Sequence, residues 1–274
     1  MVEAQKPRKL AVGTMVRFAY RNVFGRLELI LELGWIMLLA LLAAAILPDL
    51  LLPGRHAGPE LKLEAPDYLQ AVIALLALTA FSVRWHQSIL LGDPRRQPTA
   101  LFFRGWWRFL LYACIVYAVL GAIVAVTAFA VIGGRNDPAV VTLVLLLAIA
   151  ASWAVLLATA RLSLLFPAAA CGRPLGFGGA WRLMRGNVWR LIGATILTVL
   201  PIKLITFAVT AAMVAASVPQ GTNAAPIGLV IIAGLIETGA DILLAALGAS
   251  LLSGFYRELV AWNAVGSDRR SETI

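Results

Sequence analysis

The stretch Phe109–Ile132, FLLYACIVYAVLGAIVAVTAFAVI, holds no charged residue, and after Gly133-Gly134 a second such run follows at Ala139–Ala160, AVVTLVLLLAIAASWAVLLATA. A helix needs roughly 20 mostly apolar residues to cross about 30 Å of hydrocarbon, so each run reads as a membrane span. Lipid offers backbone groups no water partner, so helices rather than open strands make the crossing.

Four weaker runs flank this pair. Leu27–Leu52 carries Glu28 and Glu32 near its start, and Tyr68–Leu91 carries Arg84 and His86 near its end. Leu191–Val218 contains Pro201 and Lys203, and Pro226–Phe255 contains Glu237 and Asp241. Turn-forming clusters separate the runs, among them Pro53-Gly54, Gly92-Asp93-Pro94 and Gly172-Arg173-Pro174. The composition agrees: 61% of the 274 residues are hydrophobic and 14% charged, where soluble domains run about 45–50% and about 25%. A disordered chain and a disulfide-stapled secreted domain are excluded. Cys114 and Cys171 lie far apart, in or beside apolar runs, and imply neither a redox pair nor a metal site. The amino-terminal apolar run starts too late and runs too long for a cleaved signal, so the first span is expected to be retained.

Lys and Arg placement sets the orientation. With six spans, about 19 of the 23 basic residues fall on the side of the two chain ends, against Arg55, Lys62 and Arg135 opposite. Both termini are therefore expected in the cytoplasm. The net charge of +9 is a topology signal and not a nucleic-acid footprint.

Three segments at span entrances resemble one another: Arg21-Asn22-Val23-Phe24-Gly25-Arg26, Arg104-Gly105-Trp106-Trp107-Arg108 and Arg185-Gly186-Asn187-Val188-Trp189-Arg190. Their first arginines are 83 and 81 residues apart, roughly one helical hairpin plus a linker. The expected fold is all-α: a polytopic bundle of six transmembrane helices forming three helical-hairpin repeats (about 9–95, 96–174 and 175–266). A single transmembrane domain then covers 1–266, with a tail at 267–274. Lys9–Arg26, Thr99–Arg108 and Gly178–Arg190 read as cytoplasmic interfacial amphipathic helices, with rings at the acyl boundary and guanidinium groups near phosphates. Arg21, Arg26, Arg104, Arg108, Arg185 and Arg190 are the candidate lipid-headgroup contacts, and the bilayer, through its anionic headgroups, is the expected partner.

Ionisable groups at depth are costly and point by default to function. Lys203 lies about 18 Å into its span, and Glu237 and Asp241 lie about 16 and 22 Å in from the other side. The two acids, four residues apart, share a helix face. Glu28, Glu32, Arg84 and Arg161 form a second candidate cluster near the cytoplasmic boundary. For both clusters structural ion pairing is preferred to a relay or a substrate pocket, although two carboxylates against one ammonium at Lys203 favour protonation chemistry. Ala150, Ala154 and Ala158, and likewise Ala246, Ser250 and Gly254, are spaced for close helix packing.

Catalytic signatures are missing from the sequence: it has two histidines, no H-E-x-x-H run, no P-loop, no G-x-S-x-G elbow and no dinucleotide fingerprint. His86 reads as a hydrogen-bonded interfacial histidine. No catalytic, cofactor-binding or metal-ligating residue is assigned. The stretches Arg84-Trp85-His86 to Gly92, and Arg161-Leu162-Ser163 through Pro167-Ala168-Ala169 to Arg185-Gly186-Asn187, resemble a loose group of six-span proteobacterial inner-membrane proteins. That group is similar to the membrane domain of some glycerophosphoryl diester phosphodiesterases. The resemblance implies a bacterial inner-membrane location and a multi-helix fold; the hydrolase activity there belongs to a separate soluble domain, so no catalytic residue carries over. The function expected is a non-enzymatic structural, lipid-associated or accessory role. The alternative is a small transporter or channel with a polar midplane site at Lys203, Glu237 and Asp241.

Overall fold

A computed structural model describes residues 9–51, 65–92, 99–133, 138–173, 175–217 and 227–271. All regular structure among them is helical: α1 (Val12–Phe24), α2 (Leu27–Leu51), α3 (Ala65–Leu90), α4 (Thr99–Gly133), α5 (Pro138–Leu162), α6 (Leu165–Ala170), α7 (Phe177–Leu183), α8 (Val188–Ser217) and α9 (Ile227–Ser271). Five segments are long and apolar enough to cross a membrane: Tyr68–Leu90, Gly105–Val131, Pro138–Leu162, Val188–Met213 and Ile231–Ala261. No more than 22% of any of their most apolar windows is buried within the chain, so the apolar surface faces outward, as lipid contact requires. The protein is a multi-pass helical membrane protein. The expected first span, Leu27–Leu52, falls on α2, a helix of 25 residues that is not among these five segments.

The long helices follow their sequence signals. Pro138 opens α5, where its missing N–H costs nothing. Helix α8 continues through Pro201 without interruption. Around the bundle α3 packs on α4, α4 on α5, α5 on α8, α8 on α9, and α9 returns to α3. Helix α9 also receives α1 and α2 on its other flank. Short α6 wedges between α3, α4 and α9.

The core sits at the basic end. Trp85, Leu164, Met184, Leu247, Leu251 and Phe255 are fully buried there. Helix α1 closes this base. Its buried Met15, Phe18, Ala19 and Val23 recur at helical spacing, while Arg17 and Arg21 stay exposed on the opposite side. A Cβ placed on Gly254 of α9 would lie 2.9 Å from the Phe18 ring, so the Ala246–Ser250–Gly254 stripe does serve close packing, with Ala246 and Ser250 both fully buried.

Three expectations change. Thr99–Arg108 is no separate interfacial helix but the first three turns of α4, whose 35 residues form one rod. Gly178–Arg190 is no single helix: it is helical to Leu183 in α7, Met184–Asn187 form a turn, and Val188–Arg190 already belong to α8. The α5 stripe is not packed along its length: Ala150 and Ala154 are exposed and Ala158 alone is half-buried.

Candidate functional site

Lys203 stands 15 residues into α8, about 22 Å along its axis. Asp241 lies 12 residues from Ser253 on the neighbouring α9, about 18 Å from the core at the base. The Lys203 ammonium donates to Asp241 Oδ1 at 3.1 Å. The pair is not sealed, for the two side chains remain 49% and 46% exposed. Glu237, one turn further along α9, is exposed and stands outside this ion pair.

Asp241 also borders a cavity of about 520 Å³ between α3, α4, α6 and α9. Thr79 and Ser82 of α3 and Tyr117 of α4 add hydroxyl groups to the lining, among apolar Leu75, Leu78 and Val116. Phe109 and Phe166, their rings 4.9 Å apart edge to face, mark its inner end. The cavity runs about 12 Å along α4, from Phe109 to Tyr117. An ammonium and a carboxylate beside it, with hydroxyls between apolar walls, suit a small charged or zwitterionic guest. Such sites are mostly apolar with a few placed polar groups.

Below the cavity the polar groups are closed in. Trp85, His86, Gln87 and Ser88, consecutive at the end of α3, are all buried. Trp85 Nε1 donates to Ser250 Oγ at 2.8 Å, His86 Nδ1 lies 2.8 Å from Ser253 Oγ, and Gln87 Nε2 donates to the Ala170 carbonyl at 2.9 Å. Three side chains thus tie α3 to α9 and α6. Arg26 donates to the Ser88 carbonyl at 3.1 Å, which brings the α1–α2 junction to the same place. His86 is hydrogen-bonded as expected, though inside the bundle and not at its surface. Among the described residues no group of three His, Cys, Asp or Glu converges.

The second expected cluster is divided. Glu32 and Arg84 border one groove between α2 and α3, with Met37 and Phe81. Glu28 is exposed in the first turn of α2. Arg161 lies elsewhere, its guanidinium 4.3 Å over the Trp181 ring of α7. The arginines at the span entrances also differ. Arg190 donates to the Leu10 carbonyl at 2.7 Å, while the Leu10 N–H donates to buried Asn187 Oδ1 at 3.0 Å. The Arg185-Gly186-Asn187 motif is therefore a clamp on the segment before α1, and Gly186 supplies the positive φ (81°) its turn demands. Arg21, Arg108 and Arg185 are exposed, and Arg104 belongs to the first turns of α4.

Sequence reasoning missed Thr79, Ser82 and Ser253, whose hydroxyl groups barely alter hydropathy, and Gln87, a single amide within a span otherwise read for its charges. It also missed Gly105, where a Cβ would fall 2.6 Å from the Ala169 carbonyl oxygen and 2.9 Å from that of Ala170. The Gly between two basic residues was the available signal, since close backbone approach is what glycine permits. No family model, curated protein or solved structure matches the chain.

Proposed function

We propose that this chain is a non-enzymatic, six-span protein of the bacterial inner membrane, with α2 as the first span and both termini in the cytoplasm, and that it binds and passes a small charged or zwitterionic solute. The reading is supported by the unsealed Lys203–Asp241 pair, whose Asp241 borders a cavity that also carries Thr79, Ser82 and Tyr117. A purely structural pair gains most when sealed in its partner's contacts, whereas half-exposed charges at mid-depth are costly against hydrocarbon and call for water or a guest. In this reading the chain is three helical hairpins in parallel orientation, as the entrance motifs suggest, and the cavity lies between α3, α4 and α9 with α6 as its floor.

A second reading, a structural or accessory protein attached to anionic phospholipid, draws on the sealed base. There Trp85, His86 and Gln87 spend their polar groups on packing α3 against α9 and α6. The likeness to the membrane domain of glycerophosphoryl diester phosphodiesterases supports either role and rests on the boundary motifs alone.

The deciding experiment is a mass-spectrometric inventory of small molecules copurifying with the native protein and with Asp241→Asn and Lys203→Met. The solute reading expects a species held by the native protein and lost from both variants, while their thermal unfolding stays near native. Identical inventories, or variants that lose folding and recover it when combined, support structural pairing instead.

A further inference from the structure

A second opening lies on a neighbouring face of α4, with Val116 and Phe166 common to both linings. It is a narrow apolar groove of about 200 Å³ between α4, α5, α6 and α7, lined among others by Tyr112, Val119, Val155, Leu162, Phe166 and Phe177. The groove runs about 10 Å along α4 and α5. Val119 and Phe177 on its rim are 43% and 55% exposed, so it opens sideways to the surroundings of the bundle.

Its mouth at the basic end is cationic. Arg108 lies four residues before Tyr112 on the same face of α4, and Arg161 lies three after groove-lining Ala158 on α5. Trp181 shares a face of α7 with Phe177, four residues earlier, and holds the Arg161 guanidinium over its ring. Neither arginine makes an ion pair among the described residues. The local sequence supplies no counter-ion: between Asp93 and Glu237 the single carboxylate is Asp137, beyond the far end of α4, while seven arginines stand on the basic side between Arg104 and Arg190. Among the described residues no carboxylate balances this mouth, which leaves it open to an anion from the surroundings. An apolar groove open to lipid, with guanidinium groups and an indole at headgroup level, fits one class of molecule.

We infer that this groove is a specific site for one glycerophospholipid with an anionic headgroup, one acyl chain between α4 and α5 and its phosphate at Arg108 and Arg161. The inference rests on the chain spanning the membrane with its basic end at a headgroup layer, and it is independent of the Lys203–Asp241 cavity.

Native mass spectrometry of the full protein, titrated with phosphatidylglycerol or phosphatidylcholine, tests it. One phosphatidylglycerol is expected to outlast all others, with affinity falling about fivefold in Arg108→Gln and again in Arg161→Gln. Ala158→Trp, which fills the groove and leaves both arginines, is expected to abolish the retained lipid. On the unaltered protein, phosphatidylglycerol bearing a photoreactive tail is expected to label 112–119 and 155–162, in competition with unlabelled phosphatidylglycerol and not with phosphatidylcholine. Equal retention of the two lipids, or labelling spread evenly over all spans, overturns the site. Loss on arginine substitution with full retention in Ala158→Trp also overturns it, because headgroup attraction alone would then be at work.

Discussion

Replacing Gly105 by alanine tests how α4 is seated on the base of the bundle. The added Cβ would meet two backbone carbonyl oxygens of α6 at 2.6 and 2.9 Å. Those oxygens cannot swing aside as a side-chain end would: Ala170 O accepts from Gln87, and Ala169 O accepts from the Gly172 N–H at 3.0 Å. Overpacking costs about 1–3 kcal/mol, and an unyielding obstacle puts this case near the upper end. Helix propensity returns about 0.5–1 kcal/mol for Gly→Ala, which leaves a net loss of about 2 kcal/mol. Gly121, on the same helix, has nothing within 4 Å of its Cβ position, so Gly121→Ala gains the propensity term alone. The two variants should differ by about 3 kcal/mol, roughly a hundredfold in the unfolding equilibrium. Reversible unfolding in mixed detergent micelles containing SDS, followed by tryptophan fluorescence, reads the difference. Gly105→Ala as stable as the native protein, or as stable as Gly121→Ala, would refute the close seating of α4 on α6.

Two further outcomes follow from the base. Ser253→Ala removes the partner of His86 inside the core and should cost about 1–3 kcal/mol in the same unfolding measurement, whereas Thr142→Ala, exposed on α5, should change stability by less than about 0.5 kcal/mol. Burial pushes the Cys171 thiol up to about 11, against the opposing pull of the Arg173 charge. The thiolate is the reactive form, so at pH 8 only about one thousandth of Cys171 is reactive; alkylation of the folded protein should be slow and accelerate about tenfold per pH unit up to about pH 11. A fast, pH-independent reaction at Cys171 would contradict its burial.

How much the sequence disclosed depended on whether the signal was one-dimensional. Phe109–Ile132 and Ala139–Ala160 announce themselves because lipid demands an unbroken apolar run, and α4 and α5 contain them. The contact of Lys203 with Asp241 came within reach by counting rise per residue from opposite ends of adjacent spans. The two small-residue stripes show where such reading stops. Ala246–Ser250–Gly254 and Ala150–Ala154–Ala158 have the same spacing, yet α1 meets the first at Gly254 and α3 meets it at Ser250, while Ala150 and Ala154 of the second stay exposed. Partnering is decided by tertiary neighbours that spacing does not encode. Thr99–Arg108 illustrates another limit: nothing local breaks the helix before Gly105, so an interfacial stretch and a span fuse into one rod. Likewise the hydroxyls of Thr79 and Ser82 reach significance only through the cavity that α4, α6 and α9 complete.

A solute pathway requires water to reach the charged pair inside the bundle. In protein whose own cysteines are removed (Cys114→Ala, Cys171→Ala), Ser82→Cys and Ser253→Cys can be exposed to a membrane-impermeant cationic thiosulfonate added from the side away from the basic end. Rapid modification at position 82, with position 253 protected in the sealed base, is the outcome expected. An inert position 82 in a folded protein, from either side, would mean a dry cavity and would contradict a solute pathway past Lys203 and Asp241.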